Sequence, residues 1–261
     1  MASLNQIVNL DLHPINQSEK YLKVCKNKLR KESVLQLNNF LSSKSLNDIQ
    51  KEANDLHSKA FYCSQNHTIL LTKKNINISK DDPCNIEVKS DKGCVPHDLI
   101  PSNSNLRTLY NSNDFIKFIE TILDLKKIYP YADTLSSINY NYYEKNQQLG
   151  WHFDNASFAI TLMIQSPDSG GVFQYINKGR DFDNNFIDKK LIKSVLNNTY
   201  PVNNLSVQPG SLILFYGRNY LHRVTPVTSV KSRILVTLNY NLEKNIKLSE
   251  NGRLTFFGRL K

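Results

Sequence analysis

The chain has 261 residues and a formal net charge of +10, with 40% hydrophobic and 21% charged residues. That length buries a sizeable core in one domain with elaborations, or two at most, and the composition is that of a globular protein rather than a disordered one. No stretch is long and apolar enough to span a bilayer, and the first residues lack the basic-flanked apolar core of a secretory signal. The four cysteines (Cys25, Cys63, Cys84, Cys94) form no Cys-x-x-Cys pair. They read as reduced and structural, which points to a cytoplasmic address. The positive excess suggests anionic partners, but its densest cluster, residues 20–31, reads as the solvated face of a helix. Basic residues interleaved with aromatics are missing, so nucleic acid is not the expected partner.

In chain order, residues 33–40 loosely alternate apolar and polar side chains, as a strand does. Ser45 is then placed to cap a helix reaching about Lys59, with Ile49, Ala53 and Leu56 on one stripe. Residues 67–72 are β-like, and residues 73–95 read as a polar loop. Asn113 is placed to cap a helix from Asp114 to about Leu125 that buries Phe115, Phe118, Ile119 and Leu123. From Ser136 the pattern turns to β, with strands expected at 138–143, 158–165, 171–176, 205–207, 211–216 and 233–240. Residues 166–171 (Ser-Pro-Asp-Ser-Gly-Gly) are a strong turn between two of them. Residues 177–200 look like a polar insertion with a helical stripe of Phe186, Leu191 and Val195. Many short strands separated by Gly/Pro turns imply a sandwich or barrel. The expected organisation is one domain over 1–261: an N-terminal α/β elaboration (1–135), a β core (136–240) and a C-terminal tail (241–261).

The chemistry is concentrated in His152-Phe153-Asp154, followed by His222 and Arg233. On a strand, residues two apart point to the same side, so His152 and Asp154 can grip one ion while Phe153 points away. His222 follows a Pro209-Gly210 turn and the apolar run Leu212-Ile213-Leu214-Phe215-Tyr216. Two imidazoles and one carboxylate are the facial ligand set of non-haem Fe(II) oxygenases. Arg233 opens the next β run, where a guanidinium fork suits the carboxylate of 2-oxoglutarate. A blander account makes His152 a hydrogen-bonded core histidine and Arg233 a solvated strand end, but leaves their common register unexplained.

These residues carry a family resemblance. The segments Tyr131-Ala132-Asp133, Leu149-Gly150-Trp151-His152-Phe153-Asp154, Phe158 to Gln165, Gly170 to Tyr175, Pro209-Gly210-Ser211-Leu212 and Tyr220 to Pro226 are similar to those of the 2-oxoglutarate/Fe(II) oxygenase superfamily. From about Ile100 to Tyr240 the chain resembles the branch of free amino acid hydroxylases and radical halogenases. It departs from that branch at residues 144–146, where relatives often have glycines. The resemblance implies an α+β, mainly β fold, a double-stranded β-helix (jelly roll) with N-terminal helices packed on it. It implies Fe(II), 2-oxoglutarate and O2 as cofactor and cosubstrates, iron held by His152, Asp154 and His222, and the distal carboxylate of 2-oxoglutarate held by Arg233. Asn141 and Tyr143, two apart before the first ligand, are further expected cosubstrate contacts.

Radical halogenases of the branch have a small residue where this chain has Asp154, so hydroxylation is the expected reaction. The expected substrate is a small polar molecule, a free amino acid above all. Thr237 and Asn239, in phase with Arg233, are candidate substrate contacts, with Arg180 and Arg223 as candidate carboxylate clamps. Nucleic acid dealkylation and prolyl-type protein hydroxylation would use the same iron centre and remain the alternatives.

Overall fold

The computed structural model describes residues 3–261. Its helices are α1 (Leu4–Ile7), α2 (Glu19–Glu32), α3 (Ser43–Leu56), α4 (Asn105–Tyr110), α5 (Asn113–Leu123), α6 (Lys189–Leu196) and α7 (Glu250–Phe257). The first strands are β1 (Val34–Leu37), β2 (Phe61–Thr68), β3 (Glu87–Val95), β4 (Tyr129–Pro130), β5 (Ile138–Tyr143), β6 (Leu149–His152) and β7 (Ala159–Gln165). The remainder are β8 (Phe173–Asp181), β9 (Phe186–Ile187), β10 (Asn203–Leu205), β11 (Leu212–Phe215), β12 (Tyr220–Val224), β13 (Arg233–Leu238) and β14 (Tyr240–Asn241).

The main sheet runs β1-β11-β7-β13-β5-β3-β6-β12-β8-β10, with β2 added on β3 and β9 on β8. It curls on itself, so that β11-β7-β13-β5 and β6-β12-β8-β10 become the two walls of a jelly roll joined through β3. Period-two alternation decides what each wall faces. Ile160, Leu162 and Ile164 on β7 and Ile234, Val236 and Leu238 on β13 belong to the large core with the N-terminal helices. Thr161, Arg233, Leu235 and Thr237, the alternate residues, line the interior cavity. Leu29 of α2, Ile49 and Leu56 of α3, and Phe115 and Phe118 of α5 complete the outer layer. Burying each such side chain is worth about 1.5–3 kcal/mol, which makes this wall the rigid one.

The structure corrects several expectations. Ser42, not Ser45, caps α3, accepting from Ser45 N–H at 3.2 Å. Ser45 is itself buried, and α3 ends at Leu56 before a 3-10 turn at His57–Lys59. Ser112 caps α5, accepting from Phe115 N–H. Residues 73–95 are not all loop, because β3 is a nine-residue strand paired with β2 from Thr68–Glu87 to Phe61–Cys94. In the insertion, β8 runs on to Asp181 and turns into β9, while α6 buries Ile192 and Val195 and leaves Phe186 on the surface. The C-terminal residues form α7, whose Phe257 packs with Cys94 and Leu135. Among the described residues, no helix is long and apolar enough to cross a membrane.

Candidate active site

His152 on β6 and His222 on β12 are direct cross-strand partners, so their rings emerge side by side with centroids 4.1 Å apart. Each Nδ1 faces a backbone carbonyl: Gly150 O at 2.8 Å for His152 and Tyr220 O at 2.9 Å for His222. A carbonyl only accepts, so each Nδ1 carries the proton and each Nε2 turns a lone pair to the cavity. Beyond β6 the chain stays tethered, with Phe153 N–H donating to Ile69 O and Asp154 N–H to Gly217 O. Phe153 therefore packs with Ile69, Ile176 and Ile192, and Asp154 turns inward. Its Oδ1 lies 3.3 Å from His152 Nε2 and 3.5 Å from His222 Nε2.

The three donor atoms lie within 4.8 Å of one another, a spacing that can hold one metal ion. Burial alone would raise the Asp154 carboxyl, but the two imidazoles beside it, His222 first, outweigh burial and hold Asp154 well below the usual carboxylate range. Burial, then the neighbouring His222, lowers His152. Two imidazole nitrogens and one carboxylate oxygen fit a divalent transition metal with open positions on one side. Gly217 makes this possible, because a Cβ there would overlap Asp154 Oδ2.

The triad opens into a cavity of about 250 Å³. Arg233 lines it and is only 5% exposed, yet its Nε and Nη1 have no partner among the described residues. Burial depresses its pKa, but a guanidinium stays protonated, so a buried cation is left facing an apolar space. An anion with two oxygens, such as the carboxylate of 2-oxoglutarate, fits that vacancy of partners. Tyr143, opposite Arg233 on β5, lays its ring 5.4 Å from the guanidinium carbon. Asn141 also lines the cavity, but its amide is engaged: Oδ1 accepts from Lys92 Nζ at 2.6 Å and Nδ2 donates to Asn139 O.

The predicted substrate residues divide. Thr237 lines the cavity. Asn239 does not, since it stands just beyond β13 and its Nδ2 donates back to Ser136 O and Asn139 Oδ1. Arg180 lies over the rings of Phe153 and Phe182, on the other side of the wall. Arg223 stacks on Trp151 and donates to Gln174 Oε1, because a strand neighbour of the inward His222 must point outward. Sequence reasoning missed the β2–β3 contribution, namely Cys63, Gln65, His67, Ser90 and Lys92, together with Phe256 of α7. His67 Nδ1 lies 2.8 Å from Thr68 O and Nε2 2.6 Å from Ser90 Oγ, and Ser90 Oγ accepts from Gly150 N–H. That chain of donors and acceptors ties β3 to the strand carrying His152. The alternation Ser90, Lys92, Cys94 was the available signal.

A jelly roll with inward histidines on adjacent strands, a carboxylate between them and a buried unpaired arginine defines an Fe(II)- and 2-oxoglutarate-dependent oxygenase. The chain belongs to the Halogenase D family, whose sequence pattern matches residues 17–252. Solved structures share the fold at low identity. An oxidoreductase of the 2OG-Fe(II) oxygenase family from Burkholderia pseudomallei is 13% identical, with a TM-score of 0.56, covering 88% of this chain and 95% of that one. The 2-oxoglutarate-dependent epimerase SnoN from nogalamycin biosynthesis is 11% identical with a TM-score of 0.58, covering 85% and 81%. A Pseudomonas putida prolyl-4-hydroxylase is 12% identical with a TM-score of 0.51, covering 83% and 96%. No curated protein matches the sequence.

Proposed function

We propose that this protein is a hydroxylase of a small, carboxylate-bearing substrate, a free amino acid in the first instance. His152, Asp154 and His222 would hold Fe(II), and Arg233 the distal carboxylate of 2-oxoglutarate. Bound Fe(II) with 2-oxoglutarate and O2 supplies oxidative decarboxylation coupled to oxygenation of a C–H bond. The chain's own part is binding and exclusion. The carbonyls of Gly150 and Tyr220 fix both imidazoles with Nε2 inward. Arg233 orients the cosubstrate through its fork, and the apolar lining keeps water away so that those charge contacts are strong.

The observation that carries hydroxylation over halogenation is Asp154 itself. Its carboxylate fills the position between the two histidines, where a halide would need an open coordination site. The size of the cavity, about 250 Å³, supports a small molecule over a polymer. The four free cysteines suit a reducing compartment such as the cytoplasm.

The test is succinate release by Fe(II)-loaded protein against a panel of free amino acids, with products weighed by mass spectrometry at high chloride. One amino acid should stimulate turnover and gain one oxygen atom, without chlorine. Stimulation by methylated oligonucleotides or a peptide instead would overturn the substrate class, and chlorinated product would overturn the reaction.

A further inference from the structure

We infer that Lys92 is the anchor for a single negative charge on the substrate, its carboxylate; this rests on the oxygenase reading above. Lys92 lies one residue beyond the Gly93–Tyr142 pair of β3 and β5, level with Tyr143. Tyr143 in turn faces Arg233 across β5 and β13. Two cations therefore flank one tyrosine in a single row, with Cα atoms two strand spacings, about 10 Å, apart. Both line the same cavity.

The charges do not balance without a further anion. Histidines aside, the charged side chains lining the cavity are Asp154, Arg233 and Lys92. A divalent ion and the dianion of 2-oxoglutarate, taken with Asp154 and Arg233, come to neutrality and leave the lysine ammonium over. Among the described residues Lys92 makes no ion pair, and its hydrogen-bond partner is the neutral Asn141 Oδ1, 2.6 Å away. An ammonium has three donors, so two remain for a ligand. The ring of Phe256, its centroid 5.0 Å from Nζ, covers the ammonium from the α7 side. An ammonium so enclosed is costly unless paired, and a carboxylate that pairs with it is held strongly because water is kept out.

Arg180 and Arg223, the clamps expected from sequence, are stacked on rings outside the cavity and cannot compete for that role. A single charge also favours a carboxylate over a phosphate monoester, whose second charge would find no partner. Recognition by Lys92 predicts that substrates lose affinity when the acid is masked.

The experiment uses whole protein loaded with Mn(II) and 2-oxoglutarate, titrated calorimetrically with the standard amino acids and short straight-chain monocarboxylic acids, each beside its primary amide. In the wild type at least one acid should bind about tenfold or more tighter than its amide. Lys92→Met should erase that preference while 2-oxoglutarate affinity stays within about twofold, and Lys92→Arg should keep part of it. The two variants guard against misfolding, since both must show the wild-type circular dichroism spectrum. An acid-over-amide preference unchanged in Lys92→Met, or absent in the wild type, overturns the inference. A loss of 2-oxoglutarate affinity in Lys92→Met overturns it too, by giving the lysine to the cosubstrate. Failure of the wild type to bind Mn(II) and 2-oxoglutarate is a separate result, which removes the oxygenase reading and this inference with it.

Discussion

The cavity has two unlike walls. On one, β5 and β13 carry Tyr143 and Arg233, and their outer faces press on the large core with the helices. On the other, β6 and β12 carry His152 and His222, and what backs them is the smaller cluster of Trp151, Phe153 and Leu221; β3 joins the two walls and, with β2, adds Cys63, Gln65, Ser90 and Lys92 to the lining. β2 is also a strand with one neighbour, β3. The difference separates two demands. The buried arginine stands against the deepest packing, whereas the two histidines stand on the thinner wall and are fixed by the carbonyls of Gly150 and Tyr220.

The largest break should come on the thinner wall. His222→Ala is expected to lower Fe(II)-dependent succinate formation by about a thousandfold or more, which is about 4 kcal/mol of transition-state stabilisation. Its melting temperature should stay close to that of the parent, because His222 lines the cavity rather than the large core. Undiminished succinate from metal-defined His222→Ala would remove the assignment. Next comes Arg233→Ala, where loss of charge-assisted hydrogen bonds worth roughly 1.5–3 kcal/mol should raise the 2-oxoglutarate requirement about tenfold or more. Lysine at 233 should recover only part of that, and an unchanged titration would mean another cation holds the cosubstrate.

A third measurement probes how tightly the metal side is packed. Gly217→Ala should destabilise the metal-free protein by about 1–3 kcal/mol, the usual range for overpacking. The new Cβ would meet the Asp154 carboxylate, so the cost should largely vanish in an Asp154→Gly background. Additive costs in denaturant unfolding would refute the contact.

The smallest effect sharpens the comparison at β3, the strand between the two walls. β3 leads straight into His97, whose Nε2 accepts from Arg107 Nη1 at 2.6 Å. Burial first, then the charge of Arg107, lowers His97 to about 4 from 6.5. Between those values the unfolded chain binds the extra proton, so this contribution is complete above pH 6.5 and is lost as pH falls toward 4. After allowance for partial exposure it should be about 1–2 kcal/mol. Amide exchange in β3 should therefore speed up at pH 5 more than exchange in β13. Equal acid sensitivity of the two strands, or no change in slope in His97→Gln, would contradict it.

What could be read from the sequence follows the same division. Expected residues 138–143 coincide with β5, and β13 begins at Arg233 as anticipated, because one face of each is apolar and the period is plain. β3 was hidden because Lys89, Ser90, Asp91 and Lys92 are consecutive polar residues: a strand whose inner face lines a polar part of a cavity shows no apolar alternation. Lys92 was lost with it. Arg223 was misread although strand alternation beside His222 already turns it outward. Asn239 went wrong for a subtler reason, since phase from Arg233 holds only to Leu238, where β13 ends. Gly217 had no legible signal, because its value lies in the space it leaves for a residue 63 positions earlier, counting from Asp154.

That space has an evolutionary side. With no side chain at Gly217 and the backbone of Asp154 held by its N–H to Gly217 O, position 154 works as a socket whose wall is main chain. A carboxylate fills it, and a smaller residue would empty it with the same tether intact. One codon, rather than a rebuilt pocket, then stands between a filled and an emptied position beside the two histidines.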